Sequence, residues 1–126
     1  MNEPASEFEA KLNKIYARCL DQIRTISAFD PTQPIEGWDQ YTCTCANEFA
    51  LDLAHAWSEH TDNDDVLTAY NVIRDGSSTD WLRERDQQTP AGFIAYGFAT
   101  FANVLKYIEA IREGRFDPTA PNGIKP

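Results

Sequence analysis

Apolar residues recur along this chain at steps of three and four, the spacing of helices that each bury one face. Phe8, Leu12, Tyr16, Cys19, Ile23 and Ile26 form the first such series, and Lys11, Lys14, Arg18 and Asp21 point away from it. Ser6 followed by Glu9 reads as a capping box. A first helix is therefore expected from about Glu7 to Ser27. Phe29-Asp30-Pro31 ends it, because the residue before a proline is pushed out of the helical region.

Residues 30–37 hold two prolines and a glycine and read as a connector. A second helix is expected from about Trp38 to His60, with Tyr41, Cys45, Phe49, Leu53, Ala56 and Trp57 on one arc. Glu48, Asp52, His55 and Glu59 fall on a flanking arc, and Leu51 lies off the apolar stripe, at the surface. The polar run Thr61–Asp65 breaks this helix and caps a short third one, about Asp65 to Arg74, with Gly76 as its C-terminal stop. Ser77-Ser78-Thr79 caps a further short turn that carries Trp81 and Leu82. Thr89-Pro90 starts the last helix, an N-cap hydroxyl followed by proline where its missing N–H costs nothing. It runs to about Glu113 and stops at Gly114.

That last helix, about 90–113, stands apart. From Ala91 to Ala102 only Thr100 is polar, which leaves no face for water and predicts a buried helix at the centre of the molecule. Its alanines and glycines would let other helices approach closely, and a homodimer seam is the competing use of the same surface. The apolar run is too short for a membrane span and soon meets Lys106 and Glu109. No β-branched run alternates with period two. The fold class expected is all-α, a compact bundle of about four to five helices in one domain over residues 1–114. Residues 115–126, with three prolines and Asn122-Gly123, are expected as a loose tail that packs at Phe116 and then frays.

Composition adds a globular core, with 42% hydrophobic residues and 12% aromatics in 126 residues. The odd count of three cysteines points to reduced thiols and a cytoplasmic setting. The opening Met1–Pro4 lacks the basic and apolar regions of a secretory signal.

Charge changes the picture more. The net charge is −9, and residues 25–73 contain nine acids and no Lys or Arg, while acids and bases balance elsewhere. Such a distribution argues against direct nucleic-acid binding, which needs a basic footprint. Glu48, Asp52 and Glu59, continued by Asp62, Asp64 and Asp65, form the candidate partner-binding row. A row of uncompensated carboxylates steers toward a basic protein surface, including one that normally holds nucleic acid. The competing reading is a plain solvated helix face.

Other chemistries compete with this one. Asp52, His55 and Glu59 share a helix face at metal-ligand spacing. However, His55-Ala-Trp-Ser-Glu59-His60 places three residues, not two, between its first His and Glu, so it fails as an inverted zinc-protease motif. The acid loop from Asp62 to Asp65 lacks the glycine of a calcium loop. Cys43 and Cys45 form C-x-C near a helix start, where the dipole favours a thiolate, but two positions apart on a helix they point in different directions. Glycine loops for phosphate are absent.

No cofactor and no enzymatic activity are expected. The reading is a small acidic protein-binding module, an inhibitor or nucleic-acid mimic that occupies a basic surface. It is similar in size and charge alone to phage and mobile-element inhibitors such as anti-CRISPR proteins. The alternatives are a helical metal protein or enzyme built on Asp52, His55 and Glu59, and a homodimeric structural or immunity-type protein.

Overall fold

A computed structural model of the chain describes residues 4–33, 36–62, 65–86 and 89–125, leaving aside the side chains of residues 4–6, 39, 85 and 86. Five α-helices account for most of it: α1 (Pro4–Ser27), α2 (Trp38–Thr61), α3 (Val66–Ser77), α4 (Asp80–Asp86) and α5 (Pro90–Arg112). A single 3-10 turn, Pro121–Gly123, follows. No strand occurs among the described residues, only an isolated antiparallel bridge between Phe116 and Ile124. The expected all-α bundle is what forms. No described helix is long and apolar enough to cross a membrane.

The helix ends follow local chemistry. Thr89 Oγ1 accepts from the Gly92 N–H at 3.0 Å with Pro90 behind it, so α5 starts where its cap dictates. Asp65 caps α3 by accepting from the Thr68 N–H at 3.1 Å. Gly114 (φ +70°) leaves α5 in the left-handed region that glycine enters without steric cost. Two expectations need correction. The first helix starts at Pro4, before the expected Glu7, so Ser6 lies inside it and its proposed capping role falls on an undescribed side chain. Gly76 does not stop α3, which continues to Ser77. A Cβ there would sit 1.9 Å from Tyr107 Oη, so this glycine lets α3 close onto α5.

The helices α1 and α2 run antiparallel, as do α1 and α5, which leaves α2 and α5 side by side in the same direction. Successive contacts show the directions: Lys11 meets Glu59 and Arg18 meets Asp52 across one seam, and Cys19 meets Phe101 across the other. Trp38 Nε1–H donates to the Phe93 carbonyl at 2.9 Å, and Phe49 stands edge-on to Phe101 with ring centroids 6.0 Å apart. The core comprises Phe8, Leu12, Ile15, Cys19 and Ile26 of α1, Phe49, Leu53 and Trp57 of α2, and Phe101, Val104 and Ile108 of α5. Because α2 packs against α1, α3 and α5, it also buries Thr42, Ala46, Ala50 and Ala54. Tyr41, expected in its apolar stripe, is exposed instead, and Leu51 is exposed as expected.

Residues 115–125 turn back onto the bundle, at Phe116 as expected and also beyond it. Phe116 is buried and packs edge-on against both Trp57 and Tyr107, and Tyr107 Oη–H donates to the Asn122 carbonyl at 2.7 Å. Gly123 (φ +75°) is buried against Val72, where a Cβ would come within 2.3 Å. The expectation of a loose tail missed these partners because they all lie on α2, α3 and α5.

Candidate functional site

The acid row on α2 is where charge pointed, and the structure discharges half of it. Lys11 and Arg18 project from the polar side of α1, and antiparallel packing brings them onto the Glu48–Asp52–Glu59 side of α2. Arg18 Nη1 donates to Asp52 Oδ2 at 2.8 Å, and Nη2 lies 3.8 Å from Glu48 Oε2. Lys11 Nζ donates to Glu59, and this contact holds the Glu59 carboxyl below its ordinary pKa. Arg18 also lies 5.3 Å over the Phe49 ring, which fixes its guanidinium above the seam. The strip free of Lys and Arg in sequence is therefore not free of them in space. The expectation of an uncompensated row is corrected at Glu48, Asp52 and Glu59.

The other three candidates lie apart from these. Asp62 is exposed at the end of α2, in the left-handed conformation (φ 56°), with its N–H returned to the Ser58 carbonyl. Asp65 is the cap of α3, and its hydrogen bonds from Thr68 lower its pKa. Asp64 lies outside the described residues. Asp65 also borders a cavity of about 500 Å³ at this end of the bundle, whose walls carry Asp117 but also His60, Arg112 and Lys125. The charge there is mixed.

Metal ligation by Asp52, His55 and Glu59 finds no support in the geometry. Among the described residues no three His, Cys, Asp or Glu side chains are grouped to hold an ion. Asp52 and Glu59 already face Arg18 and Lys11. His60 stacks on Phe8 with ring centroids 3.8 Å apart, which places it in packing.

Two features stand out that sequence reading did not single out. The first is the outer side of α5. Its buried residues face α1, α2 and the α3–α4 side, but Ala91, Ala95, Phe98 and Ala102 are all exposed, Phe98 at 37%. At 100° per residue these four occupy one arc about 60° wide. Half-buried Ile94 and Leu105 flank it on one side and Ala99 on the other. The helix is central as expected, yet it shows water an apolar stripe over three turns. The all-apolar run 91–99 carries the signal in sequence, where it implies either burial or a seam without saying which arc stays outside. Trp81 on α4, which packs against α5, is also 63% exposed, whereas Trp38 and Trp57 are core.

The second feature is a cavity of about 200 Å³ where α2, α3, α4 and α5 meet. Cys43 Sγ lies there 2.9 Å from Tyr96 Oη. Burial, and then the contact with Cys43, push the Tyr96 phenol well above its ordinary pKa, so it stays protonated. The other thiols are less available. Cys19 is buried with its pKa pushed up to about 12, and burial raises that of Cys45 as well. All three cysteines are free thiols.

Compared with known proteins, the chain matches no protein-family model, no curated protein and no solved structure.

Proposed function

We propose that this protein is a non-enzymatic binding module that docks on a basic partner protein and seats the outer stripe of α5 against it. The observation that carries this reading is the exposed arc Ala91–Ala95–Phe98–Ala102, with no polar residue for three turns. Contiguous exposed apolar surface on a monomer marks an interaction site more often than scattered single residues do. Phe98 between two alanines offers a ridge and two shallow steps, the shape that fits an aromatic or aliphatic pocket.

Charge plays a different part from the one first expected. Pairing along the α1–α2 seam neutralises local carboxylates but leaves the molecule at −9. That net field draws a basic partner in from a distance and is screened by salt. The stripe, free of charge, then makes the close contact. An inhibitor that covers a basic surface suits this division, while a mimic of nucleic acid would need the ordered carboxylate row that α1 discharges. A second copy of the chain is the competing occupant of the stripe, since Phe98 can lie over Ala95 or Ala102 of an opposed helix.

Capture from the native cell tests the reading with wild type and Phe98→Asp, at low and high salt, beside sedimentation of the purified proteins. The expected result is a basic partner held by wild type, captured more slowly as salt rises and lost with Phe98→Asp at unchanged helicity. Retention of the partner by Phe98→Asp would defeat the proposal. A salt-independent species near ~28 kDa, twice the 14.3 kDa chain, with no basic protein bound, would assign the stripe to a homodimer instead.

A further inference from the structure

We propose that the cavity at the bundle end, where α2, α3 and α5 meet the C-terminal segment, binds a free α-amino acid with a large apolar side chain. This function is separate from the docking stripe. At about 500 Å³ the space is many times the roughly 30 Å³ that one water occupies in the liquid. Its floor is apolar. Trp57, Ile111 and Phe116 line it, with the Trp57 and Phe116 rings edge-on at 5.2 Å. A side chain laid over them gains burial, and a ring gains the edge or offset contacts that aromatic groups prefer.

The wall also carries two opposite charges that the fold keeps apart, Asp117 and Lys125. Asp117 accepts from the Thr119 N–H at 2.9 Å and from its hydroxyl at 2.7 Å, both on Oδ1. Its Oδ2 has no hydrogen-bond or ion-pair partner among the described residues. Lys125 is fixed through its backbone, which donates to the Arg115 carbonyl at 2.8 Å and accepts from the Arg115 guanidinium at 3.2 Å. Its ammonium pairs with no described residue. The hydrogen bonds from Thr119 hold the Asp117 carboxyl below its ordinary pKa, and the charge of Lys125 adds a smaller push the same way. The two side chains therefore feel each other without closing into an ion pair.

Other charged groups on the wall are engaged. Asp65 caps α3, and Arg112 faces Glu9 at 3.4 Å and lies 5.4 Å over the Tyr16 ring. A simple anion entering here meets the repulsion of Asp117, and a simple cation that of Lys125. A zwitterion escapes both, with its ammonium at Asp117 and its carboxylate at Lys125. The hydroxyls of Thr61 and Thr119 donate to the Trp57 carbonyl and to Asp117, so their oxygens still accept from the ammonium. An ammonium and a carboxylate on one carbon, above an apolar floor, describe a large apolar α-amino acid.

The test titrates the nitrogen-15-labelled chain and follows its amide and indole resonances, with L-phenylalanine as the probe. Three controls each lack one recognised part: 3-phenylpropionate the ammonium, 2-phenylethylamine the carboxylate, and glycine the ring. L-Phenylalanine should shift the Trp57 indole and residues 114–119 saturably, with a Kd at least about fivefold below that of any control. Asp117→Asn keeps the turn, since an amide oxygen accepts from Thr119 as a carboxylate does. It should weaken L-phenylalanine by at least about fivefold without weakening 3-phenylpropionate. Lys125→Met, at an exposed position, should weaken L-phenylalanine as much without weakening 2-phenylethylamine. No saturable shift up to about 20 mM, a control inside the stated margin, binding that survives Asp117→Asn, or shifts centred on Phe98 each overturns the proposal. The four compounds on the unaltered chain decide it even where a variant fails to fold.

Discussion

Gly76 shows how one residue type can hold two meanings. Sequence marks it as a helix stop, since glycine ends helices through left-handed φ. In the fold it sits within α3, and its missing Cβ makes room for Tyr107, whose hydroxyl ties down the carbonyl of Asn122. Alanine would favour the helix by about 1 kcal/mol through propensity alone. Overpacking against Tyr107 acts the other way, by roughly 1–3 kcal/mol. Gly76→Ala is therefore expected to lower stability in urea unfolding, and a stabilised variant would show that α3 and α5 are not so closely joined. Gly114, at φ +70° with open space around it, is a true stop, and the chain alone does not distinguish the two. The hydroxyl of Thr79 teaches the same lesson. It reads as a cap for α4, but it turns inward to Thr100 because α5 is there to receive it.

At the scale of elements, helices and most of their ends were legible because caps and apolar spacing are local properties. Thr89-Pro90 and Asp65 act on neighbours three residues away, and sequence contains those neighbours. What lies across α2 is not local. Lys11 and Arg18 were visible as cations on the outer side of α1, but only antiparallel packing carries them to Glu59, Asp52 and Glu48. These pairs are solvent-exposed, so a double-mutant cycle on Arg18 and Asp52 should give a coupling of only about 0.2–1 kcal/mol. Zero coupling would mean that the acid row stands uncompensated after all. The pH response has a definite sign. The Glu59 pKa is lowered from 4.5 by Lys11, so its contribution is present above that unfolded value and disappears as pH falls through the lower folded one. Between neutral pH and about pH 5 the seam should be insensitive to pH, and Lys11→Ala should erase the acid-limb difference.

Over the whole molecule, two errors of sequence reading share one cause, the count of neighbours. An all-apolar run on α5 implies burial on every side only if helices surround it. In this bundle α1, α2 and the α3–α4 side cover three directions, and the arc through Phe98 is left outside. Conversely the tail after Gly114 is expected to pack only at Phe116, yet beyond it Gly123 is buried against Val72 and the Asn122 carbonyl is held by Tyr107 at the bundle end. Phe116→Ala should cost about 3–5 kcal/mol, in line with a buried aromatic, against well under 1 kcal/mol for a frayed one. Urea midpoints separate the two cases.

Amide hydrogen exchange of the chain, free and then held by its captured partner, measures directly where contact is made. The account predicts new protection along residues 91–105 of α5, with residues 46–60 of α2 unchanged. Protection gained along α2 and at Asp62 and Asp65, with α5 unaltered, would return the contact to the acidic side and contradict it.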